Sequence, residues 1–138
     1  MSESFIDPVA ALRESHAAWR LDANDHPTLD VSDAVKAIRC ALIEEEASEF
    51  RAAVEADDLV GVADAIADLL YVVYGAALTF GIPTAEVFAE VHRSNMTKLG
   101  DDGLPIYRDD GKVLKGPHYS PPDLAPILAR HAPREARP

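Results

Sequence analysis

Wound as a helix, the segment Leu59 to Phe80 is apolar around most of its circumference, and only Asp64 and Asp68 interrupt it. A helix without a polar face belongs in the middle of an assembly, with other helices packed around it. The chain supplies candidates on both sides. Asp7-Pro8 is a helix start, because Asp can cap the free N–H groups and Pro at the first position loses no hydrogen bond. From there Val9, Leu12, His16 and Trp19 recur at steps of three and four, which places them on one face. Ser32 can cap a second helix, whose apolar stripe reads Val35, Ile38 and Leu42 and which runs to about Ala56, before the break at Asp57-Asp58. Asn24 to Asp30, around Pro27, reads as the intervening loop. Gly81 terminates the apolar helix, and Pro83-Thr84 opens a fourth with Val87, Phe88, Val91 and Leu99 expected inward.

Four helices with short connections predict an all-α, four-helix-type bundle. The third helix carries more apolar surface than its neighbours need to cover, so a homodimer that buries the excess is expected. After Gly100 the texture changes. Leu104 to Tyr107 and Val113 to Leu114 flank Asp109-Asp110-Gly111, which suggests a hairpin or ordered turn. Six of the ten prolines then fall between Pro117 and Pro138, predicting an irregular Pro-rich extension with at most a short helix from Asp123. Residues 1–124 read as one all-α domain and 125–138 as a C-terminal tail.

The net charge of -11 argues against a protein built to grip nucleic acid, whose affinity comes from Lys and Arg. An acidic chain can still bind a nucleotide when divalent cations supply the positive charge. Cys40 is the sole cysteine, which removes intrachain disulfides and thiolate zinc sites. Met1 to Asp7 shows no basic n-region and no apolar h-region. Asp64 and Asp68 divide the most hydrophobic stretch, so no membrane span is expected, and a cytoplasmic location is.

The second helix holds the chemical clue. Continuing its stripe by the same steps leads to Glu45 or Glu46 and then Glu49, so the inward face passes from aliphatic to carboxylate without turning. The third helix repeats this, with Asp64 and Asp68 stacked four apart on an otherwise apolar surface. On one helix alone a solvated acidic face is the simpler reading; on two helices together it is not. Crowded carboxylates repel, and their burial is costly unless a cation compensates. If the two helices run antiparallel, these five acids converge as hard oxygen ligands suited to Mg²⁺ or Mn²⁺. Di-iron bundles instead need Glu-x-x-His pairs, and no Glu here is followed by His three residues later.

These residues resemble a known family. Leu42 to Phe50 contains, in Glu45, Glu46 and Glu49, the E-E-x-x-E signature of the MazG-like all-α nucleoside triphosphate pyrophosphohydrolases. Asp64 to Val72 is similar to that family's second motif, E-x-x-D followed by an apolar run. Arg93 to Leu99 and Asp110 to Gly116 resemble the downstream region of a branch related to phosphoribosyl-ATP pyrophosphohydrolase. The sequence departs at Ala65, where the family carries the Glu of its second motif; Asp64 lies one residue earlier.

The resemblance implies cleavage between the α and β phosphates, giving a monophosphate and pyrophosphate. It implies Glu46, Glu49, Asp64 and Asp68 as metal ligands and Glu45 as the general base for the attacking water. Asn95 and Lys98, expected on the last turn of the fourth helix, could hold phosphate oxygens. Lys112, Lys115 and Tyr119 form a second basic-polar group, notable because cations are scarce. His16 and Trp19 could stack on and hydrogen-bond a base, or belong to the core. The expected substrate is a nucleoside triphosphate, with a deoxynucleotide favoured. The alternatives are phosphoribosyl-ATP or another nucleotide derivative, or, because of Ala65, a non-catalytic metal-stabilised binding subunit.

Overall fold

The computed structural model describes residues 5–136. Readings made of Met1 to Ser4, and of the end of the tail at Arg137 and Pro138, lie outside them. Five α-helices follow one another: α1 (Pro8–Trp19), α2 (Asp33–Glu55), α3 (Leu59–Thr79), α4 (Thr84–Asn95) and α5 (Ala125–Arg130), then a 3-10 turn at Arg134–Ala136. The chain divides between Ile82 and Pro83 into two units.

In the first unit the expected caps are in place. Asp7 accepts the Val9 N–H, Ser32 the Val35 N–H and Asp58 the Gly61 N–H, so each of the three helices starts on a satisfied donor. Asp57, in the left-handed region at φ 52°, turns the chain back after α2. The tight connection makes α2 and α3 an antiparallel pair. A Cβ on Gly61 would sit 3.2 Å from that of Ala53, and one on Gly75 would meet the Arg39 side chain, so partners descend on α2 as they rise on α3. Leu12 and His16 of α1 pack over the same stretch of α3. The loop after α1 crosses the C-terminal end of α3 and satisfies its free carbonyls. Asn24 N–H donates to Leu78 O, Asn24 Nδ2 to Thr79 O at 2.6 Å, and Thr28 N–H to Phe80 O. Gly81, at φ 64°, passes so close to the His26 carbonyl that a side chain would collide with it.

Two expectations change here. The inward face of α2 includes buried Arg39, whereas Ile38 is 48% exposed. The stripe is therefore Val35, Arg39, Leu42, Glu46, Glu49, which keeps the helical steps but swaps one member. Secondly, α3 is 21 residues long and apolar enough to cross a membrane by length and composition, Asp64 and Asp68 notwithstanding. It packs against α1 and α2, and Asp68 belongs to the acidic cluster described below.

The second unit is organised around α4 by polar contacts. Ser94, buried, donates to Ser120 O at 2.8 Å, and Thr97 Oγ1 accepts the Ser120 N–H. Arg93 donates to both oxygens of Glu90, to Ser120 Oγ and to Pro121 O. Glu86 accepts from Arg130 and pairs with His131. These bonds hold the Pro-rich extension, whose short helix starts at Ala125 rather than Asp123. The expected turn forms around Gly111, with an antiparallel bridge between Tyr107 and Val113. Phe88, expected inward, is 75% exposed, because the face of α4 that meets the extension is the one bearing Glu86, Glu90 and Arg93. Helix α4 stops at Asn95, so Lys98 lies in the turn beyond it rather than on its last turn.

Candidate metal centre and adjoining pocket

Glu46 and Glu49, one helical turn apart on α2, face Asp68 across the antiparallel pair. One carboxylate oxygen from each lies within 4.8 Å of the others. Glu46 Oε2 is buried without a hydrogen-bond partner. Desolvation raises the Glu46 carboxyl above its usual range, and the charges of Glu49, Asp68 and Glu45 push it further the same way. A hydrogen bond with Glu49 acts in the same direction, so either a proton shared between the two carboxyls or a bound cation would relieve the crowding. The donors are all carboxylates, so the site fits a hard divalent cation.

The other expected members sit differently. Glu45, exposed as Glu49 and Asp68 also are, lies outside this trio, though near enough for its charge to act on Glu46. Asp64 is exposed and also outside it. Ala65, three residues before Asp68, is buried on the side of α3 that packs against its neighbours. The position at which the second motif carries Glu thus points inward, and here it holds a methyl group.

A cavity of about 230 Å³ adjoins the trio and shares Glu46 and Asp68 with it. Its walls include His16 and Trp19, as the base-binding reading requires, together with Tyr71 and apolar Leu12, Leu42 and Val72. The Trp19 and Tyr71 rings stand 6.2 Å apart, tilted at 47°. His16 is 2% exposed, and its Nδ1 lies 2.9 Å from Asp22 O. A carbonyl only accepts, so Nδ1 carries the proton in that bond, which in a neutral imidazole leaves Nε2 as the acceptor.

Arg39 was missed from the sequence. It is 8% exposed, lines the cavity, and its Nε has no partner. Burial pulls its guanidinium below the ordinary value, and the charge of Asp22 offsets this only in part. The available signal was its spacing, seven residues and two turns before Glu46 on one face.

The remaining candidates belong to the second unit. Lys98 is half-buried, and its N–H donates to the carbonyl of exposed Asn95. Neighbouring Thr97 bonds Ser120, which brings the Lys98 segment beside that of Tyr119. Lys115 Nζ stands 4.8 Å from the centre of the Tyr119 ring, while exposed Lys112 lies in the Gly111 turn, bonded through its backbone to Asp110 and Arg108.

Comparison with known proteins fits these motifs. No curated protein matches the chain significantly. Among solved structures, a crystal structure described as that of a "putative NTP pyrophosphohydrolase" from Exiguobacterium sp. 255-15 is 26% identical. It covers 91% of this chain and 94% of its own, with a TM-score of 0.45. The model of the phosphoribosyl-ATP pyrophosphohydrolase family matches residues 13–95, which include α2, α3 and all three clustered carboxylates. The chain belongs to the phosphoribosyl-ATP pyrophosphohydrolase family.

Proposed function

We propose that this protein hydrolyses a nucleoside triphosphate, a deoxynucleotide foremost, between the α and β phosphates in a Mg²⁺-dependent reaction. The observation that carries this reading is the trio Glu46, Glu49 and Asp68, with an unpartnered oxygen on Glu46 and a cavity of about 230 Å³ beside it. The three carboxylates would hold the cation, with Asp64 one turn from Asp68 as a further acid near it. When bound, Mg²⁺ or Mn²⁺ neutralises phosphate charge and acidifies water. The chain's own residues do the rest. Glu45, exposed beside Glu46, is the proposed base that takes a proton from the attacking water. The cavity orients the nucleoside. Phosphoryl transfer asks for position and charge more than covalent chemistry, so no nucleophilic side chain is needed.

A second copy of the chain is the proposed partner, in a cytoplasmic homodimer. Leu59 and Val60 are each 80% exposed, and Ile66, Leu70 and Val73 extend this apolar surface along α3. Val60→Asp should then shift the protein to monomer in sedimentation; an unchanged mass would refute this interface.

The decisive test is phosphorus NMR of the products after incubation with Mg²⁺ and a panel of NTPs, dNTPs and phosphoribosyl-ATP. Monophosphate plus pyrophosphate from a dNTP supports the reading. Preference for phosphoribosyl-ATP, which the family's description favours, would move the substrate within the same chemistry. Silence across the panel would favour a binding subunit disabled by buried Ala65.

A further inference from the structure

Arg39 is the feature of the first unit that the proposed hydrolysis does not use. A buried guanidinium is costly, and proteins ordinarily compensate it with a carboxylate. None of the ion pairs among the described residues includes Arg39, although Glu46 and Asp68 line the same cavity. Beside it stands the His16 imidazole. A Cβ on Gly75 would lie 3.0 Å from Arg39 Nη1 and 3.3 Å from His16 Nε2, so both atoms converge on the same point of α3. The absence of a side chain at Gly75 leaves room for them. One end of the cavity therefore offers an N–H donor and a nitrogen acceptor side by side, between the apolar faces of Leu12, Trp19 and Tyr71. The other end is the carboxylate trio.

We propose that Arg39 and His16 read the edge of the substrate's base and favour one that presents an exocyclic carbonyl oxygen beside a ring N–H. This rests on the nucleotide reading above. The carbonyl oxygen accepts from Arg39, and the adjacent N–H donates to His16 Nε2, the acceptor of a neutral imidazole whose Nδ1–H is bonded to Asp22 O. A base with an amino group there sets N–H against N–H at Arg39 and lone pair against lone pair at His16. It could escape by sliding sideways, but the sugar and triphosphate tether it to the acidic end. Arg39 is thus a specificity residue, and its unpaired burial is the stability sacrificed for that role.

Trp19 is the sole tryptophan and lies on the cavity wall, so its fluorescence reports occupancy without any turnover. The experiment titrates wild type, Arg39→Met and Arg39→Lys with Mg²⁺ complexes of dUTP, dTTP and dGTP against dCTP and dATP, alongside melting curves. Wild type should favour the carbonyl bases by about 10- to 100-fold, the weight of one charged hydrogen bond. Arg39→Met should level the panel, mainly in Kd and KM rather than kcat, and melt no lower than wild type. Arg39→Lys should keep part of the ranking. A lower melting point with every nucleotide weakened equally would make Arg39 structural and overturn the proposal, as would a ranking that survives in Arg39→Met. Hydrolysis of all five without base preference would overturn it while leaving the pyrophosphohydrolase reading intact. Failure of every nucleotide to bind would remove both.

Discussion

In the second unit, Glu90 holds Arg93 through both carboxylate oxygens and also takes the Asp123 N–H, while Glu86 takes Arg130 and His131. In the first, no ion pair among the described residues includes Glu46, Glu49, Asp68 or buried Arg39, and the charge of Asp22 offsets the burial of Arg39 only in part. Both units use charged side chains on helices, yet in one the charges satisfy each other and in the other they do not. Paired charges fasten the Pro-rich extension to α4. Unpaired ones are paid for by the rest of the fold, which is intelligible if a cation and a nucleotide complete them.

The sharpest way to break this comparison is to neutralise one acid in the trio. Loss of a group merely supporting a metal ligand costs about 10- to 100-fold, so losing a ligand itself should cost at least about 100-fold in kcat/KM. Glu46→Gln and Glu49→Gln should show that loss in the product assay. Each also removes a repelled charge, so the metal-free variants should melt no lower than wild type. Added Mg²⁺ should raise the wild-type melting point, by about 2.7 kcal/mol of stability at a hundred times its Kd, and the variants' far less. Variants that unfold instead would make the trio a structural site.

Gly75→Ala is the next largest effect, and it separates binding from stability. Removing a helical glycine gains about 1 kcal/mol in propensity. Against this, the new methyl group presses on Arg39 Nη1 and His16 Nε2, the ends of two side chains, of which the arginine is long and can swing aside. Stability should stay within about 1 kcal/mol of wild type, while KM rises severalfold because both polar atoms are displaced. A large fall in melting point with unchanged KM would mean that the cavity is not the nucleoside site.

How far such features were legible depended on whether they followed a period. The three long helices could be read because Asp7, Ser32 and Asp58 cap them and Gly81 closes the last, each a local signal. Glu46, Glu49 and Asp68 emerged because they lie in line with apolar stripes. Arg39 did not, since a cation on the inward face violates the rule that defines the face, and Ile38 beside it offered an easier stripe. Phe88 misled for the converse reason: α4 meets its extension through Glu86, Glu90 and Arg93, polar residues that a hydrophobic pattern assigns to solvent. The extension itself has no periodicity, and the Ser94–Ser120 and Glu90–Asp123 bonds that order it join residues 26 and 33 positions apart.

Acid should expose the difference between the units. The Arg93 side chain and the Asp123 N–H hold the Glu90 carboxyl down at about 2, against an ordinary value of 4.5. A carboxyl depressed in the folded state adds stability that is fully present above its unfolded value and is lost as pH falls through the folded one. The Glu90 contribution should therefore persist at neutral pH and fade between pH 4.5 and about 2. Glu86, lowered by Arg130 and His131, acts in the same direction. The side-chain carboxyl carbon resonance of Glu90 should titrate across that window, and Glu90→Gln should remove that part of the acid loss of stability. A step centred near 4.5 in wild type would show that the clasp does not hold in solution.

The smallest effect belongs to a pair that looks as good in geometry. Arg108 donates to both oxygens of Asp110, and the pair depresses the Asp110 carboxyl as it raises Arg108. Both side chains are more than half exposed, however, so water and salt compete with each other's charge. The turn has independent supports. Gly111, at φ 86°, donates to Arg108 O, Arg108 N–H donates to Lys112 O, and Tyr107 bridges Val113. Asp110→Asn keeps a side-chain acceptor for the Lys112 N–H and removes only the ion pair. Its melting point should match wild type within error, and the contacts of Tyr107 with Val113 should persist by NMR. Two bidentate Arg–carboxylate pairs in one unit would then differ in weight because Glu90 also holds a distant backbone N–H and Asp110 holds only its own turn.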